Sequence, residues 1–188
     1  MSLTNLFNRR IFSIGISTFE LLNIDNDFLC DHVSKICKEK KGEFFKTELD
    51  IKTDCIKNLN DIVIEESQKI LDGMIENGLV YIKRIWGNHN LNDLISAPHS
   101  HRDSFLSAVY YPKSTDGKIH FYSPWSDGLL AHVPYGDVKN HNEFNSSFYE
   151  LDVKTGWLVI FPGNLCHFVT KSNNDRYSIA YDIGIKND

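Results

Sequence analysis

Apolar residues recur along this chain in two rhythms, and the rhythm changes near residue 79. In the stretch DNDFLCDHVSKICKEKKG, Phe28, Leu29, Val33, Ile36 and Cys37 are spaced by threes and fours. That spacing predicts an amphipathic helix, with Asp25 or Asp27 as its cap and Gly42 as its end. The stretch NDIVIEESQKILDGMIENG sets Ile62, Val63, Ile70, Leu71, Met74 and Ile75 on one broad face, with Asn60 or Asp61 as cap and Gly78 beyond the end. Gly73 weakens this second helix by about 1 kcal/mol relative to Ala without changing its assignment.

From Leu79 onward, short segments rich in Val, Ile, Tyr, Phe and Trp alternate with turn residues: LVYIKRIW, SFLSAVYY, KIHFYS, SFYELDV, GWLVIFP, CHFVTK and RYSIAYDIGI. These predict an antiparallel β unit, a sandwich or a barrel, following N-terminal helices. A hairpin is expected at Lys154-Thr155-Gly156, and a second turn at Pro162-Gly163-Asn164. Between the third and fourth strands runs an insert, 123–147, with weak patterning, of a length typical of lids and binding loops.

Composition narrows the classes. The 188 residues, 41% hydrophobic and 24% charged, suit one globular domain spanning 1–188. No apolar run approaches the roughly 20 residues of a membrane span, and the N-terminus lacks the apolar core of a secretory signal, so a cytoplasmic protein is expected. A formal charge of -5 argues against nucleic acid as a partner. The four cysteines, Cys30, Cys37, Cys55 and Cys166, form no C-x-x-C pair and read as free thiols, Cys166 as a small buried hydrophobe.

Chemistry concentrates in the stretch HSHRDSFLSAVYYP. In an extended strand, residues two apart share a face, so His99, His101 and Asp103 would converge on one side. A further histidine, His167, stands in FPGNLCHFVTK. Two imidazoles and a carboxylate on one face of an ion, with the opposite positions open, form the facial triad of non-haem Fe(II) oxygenases. Arg176 follows His167 by nine residues, enough for a turn and the start of a return strand, and its planar fork suits the far end of a dicarboxylate. Ser178 shares that face as a further donor; Arg176, Ser178 and Ala180 read as a cavity face, Tyr177, Ile179 and Tyr181 as a core face. His32, His89, His120 and His141 read as ordinary surface or core residues, and a surface pairing of Arg176 with Asp175 or Asp182 is the plain alternative to a ligand role.

Taken together these motifs resemble the 2-oxoglutarate and Fe(II)-dependent oxygenase superfamily, in particular a bacterial and phage subfamily. Its pattern is W-x-N, then H-x-H-x-N-S-x-x-S-G-x-Y-Y, then G-x-L-x-x-F-P-x-x-x-x-H, then E-R-x-S. Here these stand as Trp86 with Asn88, HSHRDSFLSAVYYP, GWLVIFPGNLCH and DRYS. The resemblance implies a double-stranded β-helix, a jelly roll of cupin-like type over 80–188, buttressed by a helical portion with an N-terminal strand over 1–79. It implies Fe(II) as metal and 2-oxoglutarate as co-substrate, converted with O₂ to succinate and CO₂ while a C–H bond of a second substrate is hydroxylated. Arg176 and Ser178 would hold the far carboxylate, with Tyr110 as a further candidate, or Tyr111 if that residue faces the cavity. Apart from the resemblance, Trp125 and His132, in the insert, are candidates to line a substrate pocket, with a solvated loop as the plainer reading.

Two departures from the pattern matter. Asp103 stands where the subfamily often has Asn, and Ala108 replaces the Gly after Ser107. His101 and His167 are common to every reading of the metal site, whereas Asp103 and His99 compete for the third position: H-x-D in the wider superfamily favours Asp103, H-x-H in the subfamily favours His99. Two rivals are a cupin-like metal protein with other chemistry, and a non-enzymatic β-sandwich interaction protein. The substrate class is open between a protein side chain, a peptide and a small metabolite, and a homodimer through edge strands is an expectation.

Overall fold

Period-two alternation in the C-terminal half builds two antiparallel sheets that face each other. In the computed structural model, the described residues are 14–39, 46–49, 54–90, 96–124, 148–170 and 175–187. The larger sheet contains β1 (Ser17–Glu20), β2 (Lys46–Glu48), β3 (Gly78–Asn90), β5 (Leu106–Lys113), β8 (Trp157–Pro162) and β10 (Arg176–Asn187), in the order β1-β8-β5-β10-β3-β2. The smaller contains β4 (Ser96–His99), β6 (Gly117–Tyr122), β7 (Phe148–Val153) and β9 (His167–Val169), in the order β4-β9-β6-β7. Every pairing is antiparallel. This is the two-sheet jelly roll expected of the chain, with helices ahead of it.

Helix α1 (Asn26–Glu39) begins where the Asp25 carboxylate accepts the Phe28 amide at 3.0 Å, satisfying one of the donors that a helix start leaves over. Its Leu29, Val33 and Cys37 are buried, whereas Phe28 lies half in solvent against His32. Gly42, its expected end, lies outside the described residues.

Helix α2 (Asp54–Asp72) departs from the expected span. It starts earlier because Ile56 and Leu59, both fully buried, extend the apolar stripe by more than a turn; Asn60 is therefore a buried interior residue, not a cap. It also ends earlier, leaving Met74 and Ile75 exposed, as the chain turns at Gly73 and passes through Asn77 at φ +58°. Both helices pack on the outer face of the larger sheet, in a core with Ile85, Leu106, Ala108, Tyr110, Leu158, Ile179, Tyr181 and Ile183. A second core, between the sheets, gathers Tyr111, Ile119, Phe121, Val153, Val159, Phe161 and Leu165.

The hairpin at Lys154-Thr155-Gly156 forms as expected: Gly156 adopts φ +83°, in the left-handed region glycine reaches at little cost, and donates to the Tyr111 carbonyl at 2.8 Å. The strands β1, β2 and β4 are short additions to the segments predicted from alternation. Most of the insert, 125–147, lies outside the described residues. No helix among the described residues is long and apolar enough to cross a membrane.

Replacing Leu59 by Ala should lower the unfolding free energy by about 2–5 kcal/mol in urea melts, because it empties a fully buried site in the part of α2 that hydrophobic spacing alone did not reveal.

Candidate active site

Strand β10 divides its side chains between two environments. Tyr177, Ile179, Tyr181 and Ile183 enter the core beneath the helices, and Arg176, Ser178 and Ala180 line a cleft of about 340 Å³ between the sheets. Register carries the division sideways. Ile179 faces Tyr110 across β5 while Ala180 faces Val109 there and Trp86 across β3. Trp86, Asn88, Asn90, Val109 and Tyr111 accordingly line the cleft. Tyr110, the co-substrate candidate named from sequence, lies on the opposite face, fully buried, and donates to Asn26 Oδ1 at 2.6 Å. Tyr111 is the tyrosine of this pair that reaches the cleft.

The histidines enter from the smaller sheet. His99 ends β4 and pairs in register with His167 of β9. His101 follows just outside the strand, its amide donating to the Gly163 carbonyl at 2.7 Å. A side chain at Gly163 has no room: its Cβ would lie 2.4 Å from the Ser104 carbonyl oxygen and 2.9 Å from that of His101. Close backbone approach at this glycine thus seats the His101 turn against the β8–β9 connection.

The same turn removes Asp103. The Ser104 amide donates back to the His101 carbonyl at 2.9 Å, ending the extended backbone on which strict alternation depends. Asp103 is consequently exposed, taking Lys83 Nζ at 2.6 Å and Arg84 Nη2 at 3.4 Å. The cluster whose ligand atoms all lie within 4.8 Å of one another is His99, His101 and His167.

Each of these rings bonds through Nδ1. His99 donates to the Ala97 carbonyl at 2.8 Å, His167 to the Leu165 carbonyl at 2.9 Å, and His101 to Asp182 Oδ1. Carbonyl and carboxylate oxygens only accept, so each Nδ1 carries a proton, and Nε2 is the ring atom left to face a metal. Trp86 stacks on His101 at 5.5 Å, and Phe161 meets His167 edge-on at 4.8 Å. Burial pushes the His167 pKa down to about 4, keeping that imidazole neutral. Asp182 is held below the ordinary carboxylate range: burial alone would raise it, and bonds from His101 and Arg84 outweigh that.

Deeper in the cleft, Arg176 is 2% exposed and donates through Nη1 to the Thr170 carbonyl at 3.2 Å, whereas its Nη2 and the Tyr111 hydroxyl are buried with no hydrogen-bond partner among the described residues. Burial lowers the Arg176 pKa and pushes that of Tyr111 up to about 12, so at neutral pH the phenol keeps its proton. Two buried donors without acceptors on one cleft wall call for an anionic guest. Asn88 Nδ2 donates to Ser178 Oγ at 3.2 Å on the same wall. Gly117 makes room for the arginine, since a Cβ there would meet Ser114 Oγ at 2.5 Å and Arg176 Cδ at 3.0 Å.

A family model described as "Putative 2OG-Fe(II) oxygenase" matches residues 84–182, more than half of the chain. The chain belongs to the 2OG-Fe(II) oxygenase family. No curated protein matches it. Among solved structures it is similar to HygX from Streptomyces hygroscopicus with nickel and 2-oxoglutarate bound, at 9% identity and TM-score 0.62 over 91% of this chain and 83% of that one. A Pseudomonas putida prolyl-4-hydroxylase is similar at 13% identity and TM-score 0.60, over 92% and 94%. The non-heme alpha ketoglutarate dependent carbocyclase SnoK from nogalamycin biosynthesis is similar at 8% identity and TM-score 0.64, over 90% and 79%. At these identities the likeness is one of fold. The activity rests on the family: an oxidoreductase that uses iron, 2-oxoglutarate and O₂ on a substrate of its own. That sets aside both the cupin-like protein of other chemistry and the non-enzymatic sandwich.

The oxygenase's own residues fit both groups. Three imidazoles, each bonded through Nδ1 and with ligand atoms within 4.8 Å of one another, form a donor set suited to a divalent transition metal. The partnerless Nη2 of Arg176 and hydroxyl of Tyr111 suit a carboxylate. Of the residues singled out from sequence, His99, His101, His167, Arg176 and Ser178 meet at the cleft, Asp103 and Tyr110 do not, and Trp125 and His132 lie outside the described residues. Asp182 was named only as a surface partner for Arg176 and instead stands behind His101. Its alternation with Arg176, Ser178 and Ala180 was the available signal.

The buried His167 makes stability depend on pH. The folded state holds this ring neutral down to about pH 4, while in the unfolded chain it takes up a proton near its ordinary value of 6.5. Its contribution is complete above that value and is lost as pH falls, by about 3 kcal/mol between neutrality and pH 4 at roughly 1.4 kcal/mol per unit. Urea melts of the metal-free oxygenase over this range should show the slope, and His167→Gln should flatten it.

Proposed function

We propose that this oxygenase hydroxylates a C–H bond of its substrate at an iron held by His99, His101 and His167, with 2-oxoglutarate anchored by Arg176 and Tyr111 and aided by Ser178. The observation that carries the ligand set is convergence: three rings, each bonded through Nδ1, whose ligand atoms all lie within 4.8 Å of one another. On this reading Asp103 is a surface residue, bound to Lys83 and Arg84. Support for the anchor comes from the two buried donors on the Arg176 wall.

When bound, the iron with 2-oxoglutarate and O₂ supplies the oxidising chemistry, with release of succinate and CO₂. The protein's share is placement and exclusion. The imidazoles of His99, His101 and His167 would hold the iron, Arg176 and Tyr111 would orient the co-substrate through its far carboxylate, and Val109, Val169 and Ala180 give the cleft apolar walls.

We read the whole chain, 1–188, as one cytoplasmic domain, supported by the core that the helices share with the larger sheet. The acidic balance favours a protein, peptide or small-metabolite substrate over nucleic acid. The edge strand β7, with Phe148 and Tyr149 exposed, supports the expectation of a homodimer.

Anaerobic titration with Fe(II) and then 2-oxoglutarate tests the assignment, because a chelated 2-oxo acid gives a visible charge-transfer band. Asp103→Asn should keep the band and His99→Ala should abolish it; the reverse pattern would return Asp103 to the metal. Arg176→Met should leave Fe(II) affinity nearly intact and weaken 2-oxoglutarate at least tenfold, since a charge-assisted pair lost from a buried site is worth about 1.5–3 kcal/mol. Unchanged 2-oxoglutarate affinity in that variant would refute the anchor.

A further inference from the structure

We propose that Asp182 is the positioning residue of the metal centre, supplying from behind His101 the negative charge that the usual facial triad carries on the metal itself. The inference rests on His99, His101 and His167 being the ligands. A set of three neutral imidazoles brings no anion to a divalent ion, whereas two imidazoles and a carboxylate bring one. This chain keeps an anion at the site, one hydrogen bond further out.

Four observations place it there. Asp182 is fully buried, and both carboxylate oxygens are engaged: Oδ1 takes the proton of His101 Nδ1, and Oδ2 takes that of Arg84 Nε at 2.5 Å. It follows Arg176, Ser178 and Ala180, which line the cleft, at the next alternate position of β10, so the strand that carries the proposed co-substrate anchor also carries this carboxylate. The pairing of β10 with β3 shifts register immediately after it, between Asp182 and Ile183, as expected where a sheet re-aims a side chain. Trp86, cross-strand from Ala180, stacks flat on the His101 ring, so the imidazole is gripped on one face and along one edge.

A carboxylate hydrogen-bonded to a ligating imidazole fixes its tautomer and makes the opposite nitrogen a stronger donor. The competing account is a plain ion pair of Asp182 with Arg84. Arg84, however, is half exposed and also reaches Asp103 at the surface, so it has no need of a fully buried anion. The two accounts make different demands on Arg84. If Asp182 serves His101, removing Arg84 leaves the charge behind the ring in place; if it serves Arg84, either substitution breaks the same interaction.

The experiment compares parent, Asp182→Asn and Arg84→Met by anaerobic Co(II) titration, and by the visible band formed with Fe(II) and 2-oxoglutarate. Asn keeps the shape and an acceptor for His101 while removing the charge. Asp182→Asn should bind Co(II) about 10–100-fold more weakly and shift the energy of the band, and Arg84→Met should keep the parent affinity and spectrum. Parent-like affinity and spectrum in Asp182→Asn, or an equal loss in Arg84→Met, overturns the proposal. Should Asp182→Asn fail to fold, nitrogen-15 NMR of the Zn(II)-loaded parent decides: a proton on His101 Nδ1 with the metal on Nε2 supports the role, and the opposite tautomer ends it. A parent that binds no metal or forms no band removes the underlying assignment as well, whereas a parent that does both beside an unaltered Asp182→Asn removes only this inference.

Discussion

The two-sidedness of β10 is the constraint on which the rest of the molecule depends. Because successive residues of a strand point to opposite faces, one chain segment meets two requirements at once. Tyr177, Ile179, Tyr181 and Ile183 anchor the larger sheet to the helices; Arg176, Ser178 and Ala180 line the cleft, and Asp182, next on that face, reaches His101. A slip of one residue would exchange the two sets, burying a guanidinium and a carboxylate under α1 and α2. The helix-side core therefore holds the register of the site as well as the fold.

The smaller sheet provides the complementary wall by a different device. Its strands β4 and β9 are short, and His99 and His167 are neighbours through backbone pairing, while His101 arrives on a turn held by Gly163. Glycines at this site serve close approach: Gly163 admits the backbone carrying His101, and Gly117 admits the stem of Arg176. The cleft is thus shaped by side chains that are missing as well as by those present.

Much of this was legible in the sequence, and each miss has its own physical cause. Alternation located the principal strands, and the β10 faces divided as their residues suggested, because long paired strands obey period two faithfully. The reading of His99, His101 and Asp103 as one face failed where the backbone left the strand: after His99 the chain turns, and a turn has no period. Tyr110 was named ahead of Tyr111 because the two faces of β5 are both apolar, so that only pairing with Ile179 reveals which side each tyrosine takes. The early start of α2 escaped because Ile56 and Leu59 precede the densest part of its stripe. Asp182 went unrecognised because its partner lies 81 residues away, joined to it only by folding.

The outward-facing Asp103 has a consequence for comparing this chain with others. An alignment anchored on histidine, any residue, aspartate would slide the segment by two positions, and a two-residue slide preserves which face of a strand each side chain takes. Where the chain is extended such an error is self-consistent: polar would still match polar and apolar match apolar, while each residue sat roughly 7 Å along the strand from the one it was matched with.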